Sequence, residues 1–402
     1  MMLSVADAYK AVLQTVRDTG TEVVPFESAT GRILRESIQA DRPFPPFDRV
    51  MMDGIAVDYD SFARGQHIFG VEDIQAAGAP RLQLSNTANC MEVMTGAILP
   101  ELTDTVIPYE HLSATDHEGF RRFTINAAVK KGQHIHLKGS DVTVHATLLS
   151  PGRLLGPAEA GVLATVGKTH VTVSRLPRVV VIATGNELVP VEATPEEHQV
   201  RMSNIYSLLA SLQQAGISAR YVHLNDDREE METQLRPLLE TTDVWISSGA
   251  VSAGKYDYLP AVLEQLGMQQ IFHKVQQRPG KPFLFGIFKD GPVVFALPGN
   301  PVSGFMCFYR FVLPWLQAAM GAEERPQAYA VLQENVIFEP ALEYYLPVKL
   351  FPQPDGITAA RPHSYHGSGD LASLLLADAF MALPADSNFF EKGRPYPIWR
   401  FR

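Results

Sequence analysis

The sequence predicts a multidomain α/β plus β protein: a doubly wound α/β domain, two mostly β domains and a small helical linker domain. Three observations lead there. The chain has 402 residues, more than one ordinary hydrophobic core organises. From about 177 to 322, short β-branched runs alternate with helical stretches, the pattern of a parallel sheet wound on both faces. On either side of that region the helical period is lost and turn residues recur at strand spacing. The expected division is 1–45 with 143–176 as the helical linker domain, 46–142 as a mostly β domain, 177–322 as the doubly wound domain, and 327–402 as a small C-terminal β domain.

Taken in chain order, Ser4 to Val16 reads as an amphipathic helix with Ser4 as its N-cap. In Arg42-Pro-Phe-Pro-Pro-Phe47 the prolines hold the backbone extended and mark a domain edge. Met52 to about Ala146 carries short strands and turns. A second boundary falls near Arg175-Leu-Pro-Arg178. Beyond it, Val179–Ala183 is a strand ending in Thr184-Gly185. Ser203 to Gly216 is a helix capped by Ser203 or Asn204 and stopped by Gly216. Ala219–Leu224 is a strand, Arg228–Leu239 a helix, and Val244–Ser247 a strand. Val293–Leu297 is a later strand, and Val302–Met320 a long apolar helix. No internal repeat or low-complexity tract is evident.

Composition narrows the function classes. Hydrophobic residues make up 46% and charged residues 19%, which supports packed cores and argues against disorder. The net charge of −10, with no strongly basic stretch, argues against a nucleic-acid partner. Two cysteines, Cys90 and Cys307, provide no disulfide framework and suit a reducing, cytoplasmic setting. The N-terminal stretch lacks the apolar core of a signal peptide, and the longest apolar runs are strand-sized, so no membrane span is expected.

Loops at predicted strand ends carry the candidate chemistry. Leu297-Pro-Gly-Asn-Pro-Val-Ser303 combines a tight-turn glycine, an N-cap asparagine and a proline at the first helical position. By itself it is a well-made strand-to-helix turn. The same geometry also aims backbone N–H groups at an anion, on the sheet edge where ligands bind in such folds. Ser248-Gly-Ala-Val-Ser-Ala-Gly254 is a second such loop, of small residues that let backbone approach a phosphate. Asp226 and Asp257 flank it, placed either as turn residues or as Mg²⁺ ligands beside phosphate. Arg278-Pro-Gly-Lys-Pro282, with Lys274 nearby, is either a solvated basic turn or an oxyanion clamp. In Thr184-Gly-Asn-Glu-Leu188, Glu187 could ligate a metal, act as a base or cap a helix. Asp48, Asp53, Asp58 and Asp60 form an acidic cluster that reads by default as a solvated face. His134 and His136 alternate as in a strand, while His363 and His366 fall in a loop. Without CxxC, HExxH or GxSxG spacing, a structural zinc site or an α/β-hydrolase triad has no support.

Seven motifs in order resemble one family. They are Pro45-Pro-Phe-Asp-Arg-Val-Met-Met-Asp-Gly-Ile-Ala56, Met94-Thr-Gly-Ala-Ile-Leu-Pro100, Gly139-Ser-Asp-Val142, Ala183-Thr-Gly-Asn-Glu-Leu188, the Ser248–Asp257 loop, Arg278-Pro-Gly-Lys-Pro282 and Leu297-Pro-Gly-Asn-Pro-Val-Ser303. Together they look like the molybdopterin molybdenumtransferase family, which includes the E domain of gephyrin, over essentially the whole chain. The resemblance implies an elongated homodimer whose doubly wound domain is of the molybdopterin-binding type. It implies a reaction in which molybdate and adenylyl-molybdopterin give the molybdenum cofactor and AMP, with Mg²⁺ as helper ion. Molybdopterin adenylyltransferase is then the expected functional partner.

The resemblance also implies residue roles. Ser248, Gly249, Ser252, Pro298, Gly299, Asn300 and Ser303 would bind the adenylylated substrate. Asp226 and Asp257 would hold Mg²⁺. Arg278, Lys281, Pro282 and Ser368 would bind molybdate. Asp53, Thr95, Asp141, Glu187 and Lys274 would line the catalytic cleft. Some positions depart from the family's pattern. Arg278 stands for the usual lysine, Asn186 for an acidic residue, Ala250 for a second glycine, and Lys255 for an acidic or polar residue. The stretch Leu342-Glu-Tyr-Tyr-Leu346 lacks the family's oxyanion-binding arginine, for which Arg361 is the candidate replacement. A non-catalytic pterin- or nucleotide-binding scaffold of the same fold is the alternative. A nucleotide-cleaving hydrolase built on the α/β domain alone would not need the flanking motifs.

Overall fold

The computed structural model describes residues 2–117, 119–249, 257–363 and 367–402. The chain divides into two units. The larger comprises Met1–Glu36, Pro151–Ala160 and His170–Arg402, and the smaller comprises Ser37–Ser150 and Gly161–Thr169.

The larger unit is built on a six-stranded sheet, in the order Ala219–Leu224, Val179–Thr184, Val244–Ser248, Val293–Leu297, Pro282–Ile287, Gln269–Lys274. The first four run parallel, and Pro282–Ile287 is antiparallel to both its neighbours. Every residue of Val179–Thr184 and Val244–Ser248 is buried, as expected of parallel strands covered on both faces. The strand period of two sends alternate side chains to opposite layers. Val179, Val181, Ile246 and Phe295 pack with Ile205, Leu208, Phe308 and Leu316 on one face. Val180, Ile182, Trp245 and Val294 pack with Leu235, Leu259 and Leu263 on the other. The doubly wound architecture read from the sequence is therefore present.

The helices differ from expectation where prolines intervene. Arg228–Leu239 is not one helix: it stops at Leu235, and a separate turn, Leu238–Thr241, follows Pro237. Pro301–Cys307 and Leu313–Ala319 are likewise joined by a wider π-turn, Phe308–Val312, instead of forming one uninterrupted helix. Pro314 lacks an N–H and its ring crowds the preceding turn, which is the physical reason for the widening. The turn buries Arg310, whose Nε donates to the Tyr345 hydroxyl at 2.9 Å. Its guanidinium lies 4.1 Å from the Tyr9 ring centroid and 4.8 Å from that of Trp399. The opening helix runs over Val5–Leu13, shorter than expected, with Ser4 Oγ accepting from the Asp7 N–H at 3.1 Å. Helix Ser203–Gln214 has Met202 at its N-cap without a side-chain bond, so neither Ser203 nor Asn204 caps it. It ends as expected before Gly216, at φ +76°.

The C-terminal part of this unit is a closed ring of five strands. Glu343–Pro352 pairs with Thr358–Pro362, which pairs with Tyr329–Leu332, then Pro395–Arg400, then Ala379–Leu383, which returns to Glu343–Pro352. Gln277–Arg278 adds to it in parallel beside Glu343–Tyr344. The smaller unit carries a six-stranded sheet: Thr105–Pro108, Gly54–Val57, Asn89–Val93, Ile68–Gln75, Phe120–Ile125, Leu112–His117. Val50, Ala56, Met91 and Val106 pack in one of its apolar clusters, and Ile55, Phe69, Cys90 and Ile107 in another. Cys90 and Cys307 are both buried and unbridged, and burial pushes each thiol up to about 12. No helix among the described residues is long and apolar enough to cross a membrane.

Candidate functional site

The carboxyl ends of Val179–Thr184, Val244–Ser248 and Val293–Leu297 open onto a cavity of about 300 Å³, lined by Thr184, Glu187, Asn204, Ser248, Gly249 and Gly299 among others. Gly249 has φ +102°, and a β-carbon there would lie 2.9 Å from Thr184 Oγ1, so only glycine closes this wall. Asn204 Nδ2 donates to Ser248 Oγ at 2.9 Å and to the Gly299 carbonyl at 2.7 Å, tying the two loops together. Thr184 Oγ1 and Asn204 Oδ1 are buried without a hydrogen-bond partner among the described residues. An unmade bond at a buried polar atom costs roughly 1–3 kcal/mol, so these two atoms would gain from a polar ligand in the cavity. Neither residue was among the sequence-derived candidates. In the sequence Asn204 reads only as a candidate helix cap, and Thr184 only as the first residue of the strand-end loop that carries Glu187.

The expected loop residues fall as follows. Ser248 and Pro298 are buried, Gly249 half-buried, and Gly299 and Asn300 exposed. Ser303 is buried in the first turn of helix Pro301–Cys307. Asn300 occupies the N-cap position without capping through its side chain. Its Nδ2 instead donates to Ser368 Oγ at 2.8 Å, while the Val302 N–H donates to the Ser368 carbonyl at 3.0 Å. Part of the N–H array expected to face an anion is thus engaged by the chain itself. Ser252, Ala250 and Lys255 lie outside the described residues, as does His366. Asp226 and Asn186 exchange hydrogen bonds: the Asp226 N–H donates to Asn186 Oδ1 at 2.9 Å, and the Asn186 N–H to Asp226 Oδ2 at 3.3 Å. Asp257 is half-buried just before helix Leu259–Gln265. The exposed Glu187 carboxylate folds back against Gly185, and no helix follows for it to cap. No group of three or more His, Cys, Asp or Glu suited to a metal ion occurs among the described residues.

The basic segment forms one hairpin. Lys274 is in register with Pro282, and the Val275 N–H donates to the Lys281 carbonyl at 3.0 Å. Lys274, Arg278 and Lys281 are exposed, and Pro282 is half-buried. The Arg278 guanidinium lies 5.8 Å from the Phe338 ring, which stacks on Tyr344 at 4.2 Å. The hairpin therefore gathers Lys274, Arg278, Lys281 and Pro282. Ser368 is held instead at the Asn300 turn. Arg361 is engaged elsewhere, 3.8 Å from Glu334 and 5.1 Å from the Phe351 ring. Its strand pairs with residues 348–352, not with the 343–344 segment beside Arg278.

In the smaller unit, Asp53 Oδ1 accepts from the Thr95 N–H at 2.6 Å and from its hydroxyl at 2.7 Å. These bonds, the backbone one first, hold the Asp53 carboxyl below the usual carboxylate range. Asp141 Oδ1 meets His136 Nε2 at 2.7 Å, and His136 Nδ1 meets an Arg49 guanidinium nitrogen at 2.9 Å. The other acidic residues expected to form a solvated face are individually engaged. Asp48 accepts from the Lys138 N–H, Asp58 caps Tyr59–Ala63, and Asp60 pairs with Lys131.

Comparison with known proteins covers nearly the whole chain. Residues 3–167 match a family model described as the MoeA N-terminal region, domains I and II. Residues 180–318 match one described as a probable molybdopterin binding domain, and 329–401 one described as the MoeA C-terminal region, domain IV. A molybdopterin molybdenumtransferase of Synechocystis sp. is 38% identical over 402 residues, covering 99% of this chain and 100% of that one. One from Bacillus subtilis is 31% identical, covering 100% and 94%. A crystal structure of a molybdopterin biosynthesis MoeA protein from Pyrococcus horikoshii superposes with a TM-score of 0.83 at 26% identity, covering 100% of both chains.

Proposed function

The chain belongs to the molybdopterin molybdenumtransferase family, and from that premise we propose that it inserts molybdenum from molybdate into adenylylated molybdopterin, releasing AMP. The observation that carries the reading is the strand-end cavity, where Asn204 ties the Ser248 and Gly299 loops together and Thr184 Oγ1 and Asn204 Oδ1 have no partner among the described residues. In this reading Ser248, Gly249, Ser252, Pro298, Gly299, Asn300 and Ser303 bind the adenylylated pterin. The hairpin cations Arg278 and Lys281, with Pro282 and Ser368, bind molybdate. A dianion stripped of water needs such charge-assisted donors. Asp53, Thr95, Asp141, Glu187 and Lys274 complete the catalytic residues.

Asp226 and Asp257 are assigned to Mg²⁺. The half-buried Asp226 uses one carboxylate oxygen on Asn186, and its other oxygen has no partner among the described residues. Mg²⁺ typically takes one or two carboxylates and fills its octahedron from water and substrate phosphate, so the spare oxygen of Asp226, alone or with Asp257, suits it. Bound there, the ion would neutralise charge on the phosphate link. We further assign a homodimer, a cytoplasmic setting and a molybdopterin adenylyltransferase as the source of substrate. The direct test supplies purified protein with adenylylated molybdopterin, molybdate and Mg²⁺, and follows AMP and pterin-bound molybdenum. Equal AMP and molybdenum incorporation is expected. AMP release without incorporation would overturn the assignment in favour of hydrolysis.

A further inference from the structure

Asp141 is reached by a relay that starts on a distant strand. Arg49–Val50 pairs antiparallel with Ile135–His136, in a register that sets His136 opposite Arg49. The turn after that strand is pinned by the Gly139 N–H to the Pro45 carbonyl and the Asp141 N–H to the Phe44 carbonyl, both at 2.9 Å. Asp141 then returns to meet the His136 ring.

The donors in this relay are fixed by elementary chemistry. A guanidinium only donates, so His136 Nδ1, 2.9 Å from Arg49, must present its lone pair. The proton of a neutral ring then sits on Nε2, which donates to Asp141 Oδ1 at 2.7 Å. Ser140 Oγ adds a bond to the same oxygen at 3.3 Å, while Asp141 Oδ2 has no partner among the described residues. The His136 side chain is 26% exposed and that of Asp141 53%. One oxygen is thus clamped and the other is free of protein partners among the described residues.

The geometry points to His136 as a positioning residue for the reaction: Arg49 locks it as the Nε2–H tautomer, and it fixes the rotamer in which Asp141 offers Oδ2 to substrate. This rests on the assignment of Asp141 to the catalytic residues. The imidazole touches no reacting atom in this scheme and acts through the carboxylate. Misplacing a catalytic group by about an ångström costs up to on the order of a hundredfold in rate, so loss of the clamp should be visible in turnover.

Two measurements on the full-length protein test the inference. Long-range ¹H–¹⁵N spectra of histidine-labelled protein, with the His136 signals identified by their loss in His136→Gln, should show a bare Nδ1 and a protonated Nε2. In Arg49→Met the lock is gone and the signals should move toward a tautomer mixture. Kinetically, His136→Ala should lower kcat roughly tenfold or more with little change in the molybdate requirement. His136→Gln, whose amide nitrogen stands where Nε2 stood, should restore most of that loss, and His136→Asn should not. A protonated Nδ1 in the native protein, or equal kcat in the alanine variant and the native enzyme, overturns the proposal. The tautomer is read without turnover, so it decides the His136 assignment independently. Absence of wild-type insertion activity would strike only the functional reading.

Discussion

At the scale of single residues, the basic hairpin and the strand-end carboxylates make separable predictions. Lys281 is exposed on a hairpin tied by its own backbone, so Lys281→Ala should leave the fold intact. A charge-assisted hydrogen bond contributes roughly 1.5–3 kcal/mol, so the variant should need about tenfold or more additional molybdate for half-maximal turnover. Its affinity for the adenylylated pterin should stay nearly unchanged. Titrating molybdate at saturating pterin substrate checks this, and identical curves would return Lys281 to the role of a solvated turn cation. Asp226→Asn keeps the shape but removes the charge, and should raise the Mg²⁺ concentration required for AMP release. Unchanged Mg²⁺ dependence would remove Asp226 from the metal site. These residues were legible because charge and small size leave a mark in sequence. Asn204 and Thr184 were not, because their significance lies in atoms left unpaired by folding. The Arg49 to His136 contact spans 87 positions, and no local pattern announces it.

At the scale of elements, strands were read more accurately than helices. An unbroken apolar run such as Val179–Thr184 leaves little choice but a strand covered on both sides. In 228–239 and 302–320 the apolar pattern runs on past Pro237 and Pro314, and these prolines interrupt the helical hydrogen-bond ladder. The π-turn at Phe308–Val312 has an energetic counterpart in Arg310. This buried cation is linked to a carboxylate through Tyr345, whose hydroxyl accepts from Arg310 and donates to Glu343 Oε1 at 2.7 Å. Tyr345 is buried, and its hydroxyl is pushed well above its ordinary pKa, chiefly by desolvation. Arg310→Ala would empty the space between Tyr9 and Trp399 and strip Tyr345 of a partner. We expect a loss of about 2–4 kcal/mol in urea unfolding. A loss under about 0.5 kcal/mol, the size of an ordinary surface change, would show that the aromatic cage closes without the cation.

At the scale of the whole molecule, the residues that the family resemblance singles out are spread along the chain. Asp53, Thr95 and Asp141 belong to the smaller unit, and the strand-end loops and basic hairpin to the larger. Sedimentation at micromolar concentration should give a homodimer, and a monomer would count against the proposed assembly. Acid should destabilise the protein. A hydrogen bond from Arg35 holds Asp18 below its ordinary range. At Asp243 and Asp378 burial pushes upward but is outweighed, by Arg178 and Arg175 at one and by Lys349 and neighbouring donors at the other. Carboxylates lowered in the folded state stabilise it above their unfolded pKa of about 4, and that contribution is lost as pH falls through the folded values. The thermal midpoint should therefore drop as pH falls below about 4, and a flat profile down to pH 3 would contradict the assigned ion pairs.

The buried cysteines bear on what this protein can safely handle. The family resemblance implies a substrate whose two dithiolene sulfurs take up the molybdenum, and those sulfurs must not react elsewhere. Exchange with a protein thiol needs an accessible thiolate. Cys90 and Cys307 are the only cysteines, and both are enclosed with their protons held up to about pH 12. The chain therefore has no sulfur of its own with which to form a mixed disulfide, and its cargo meets a surface that is redox-silent toward it.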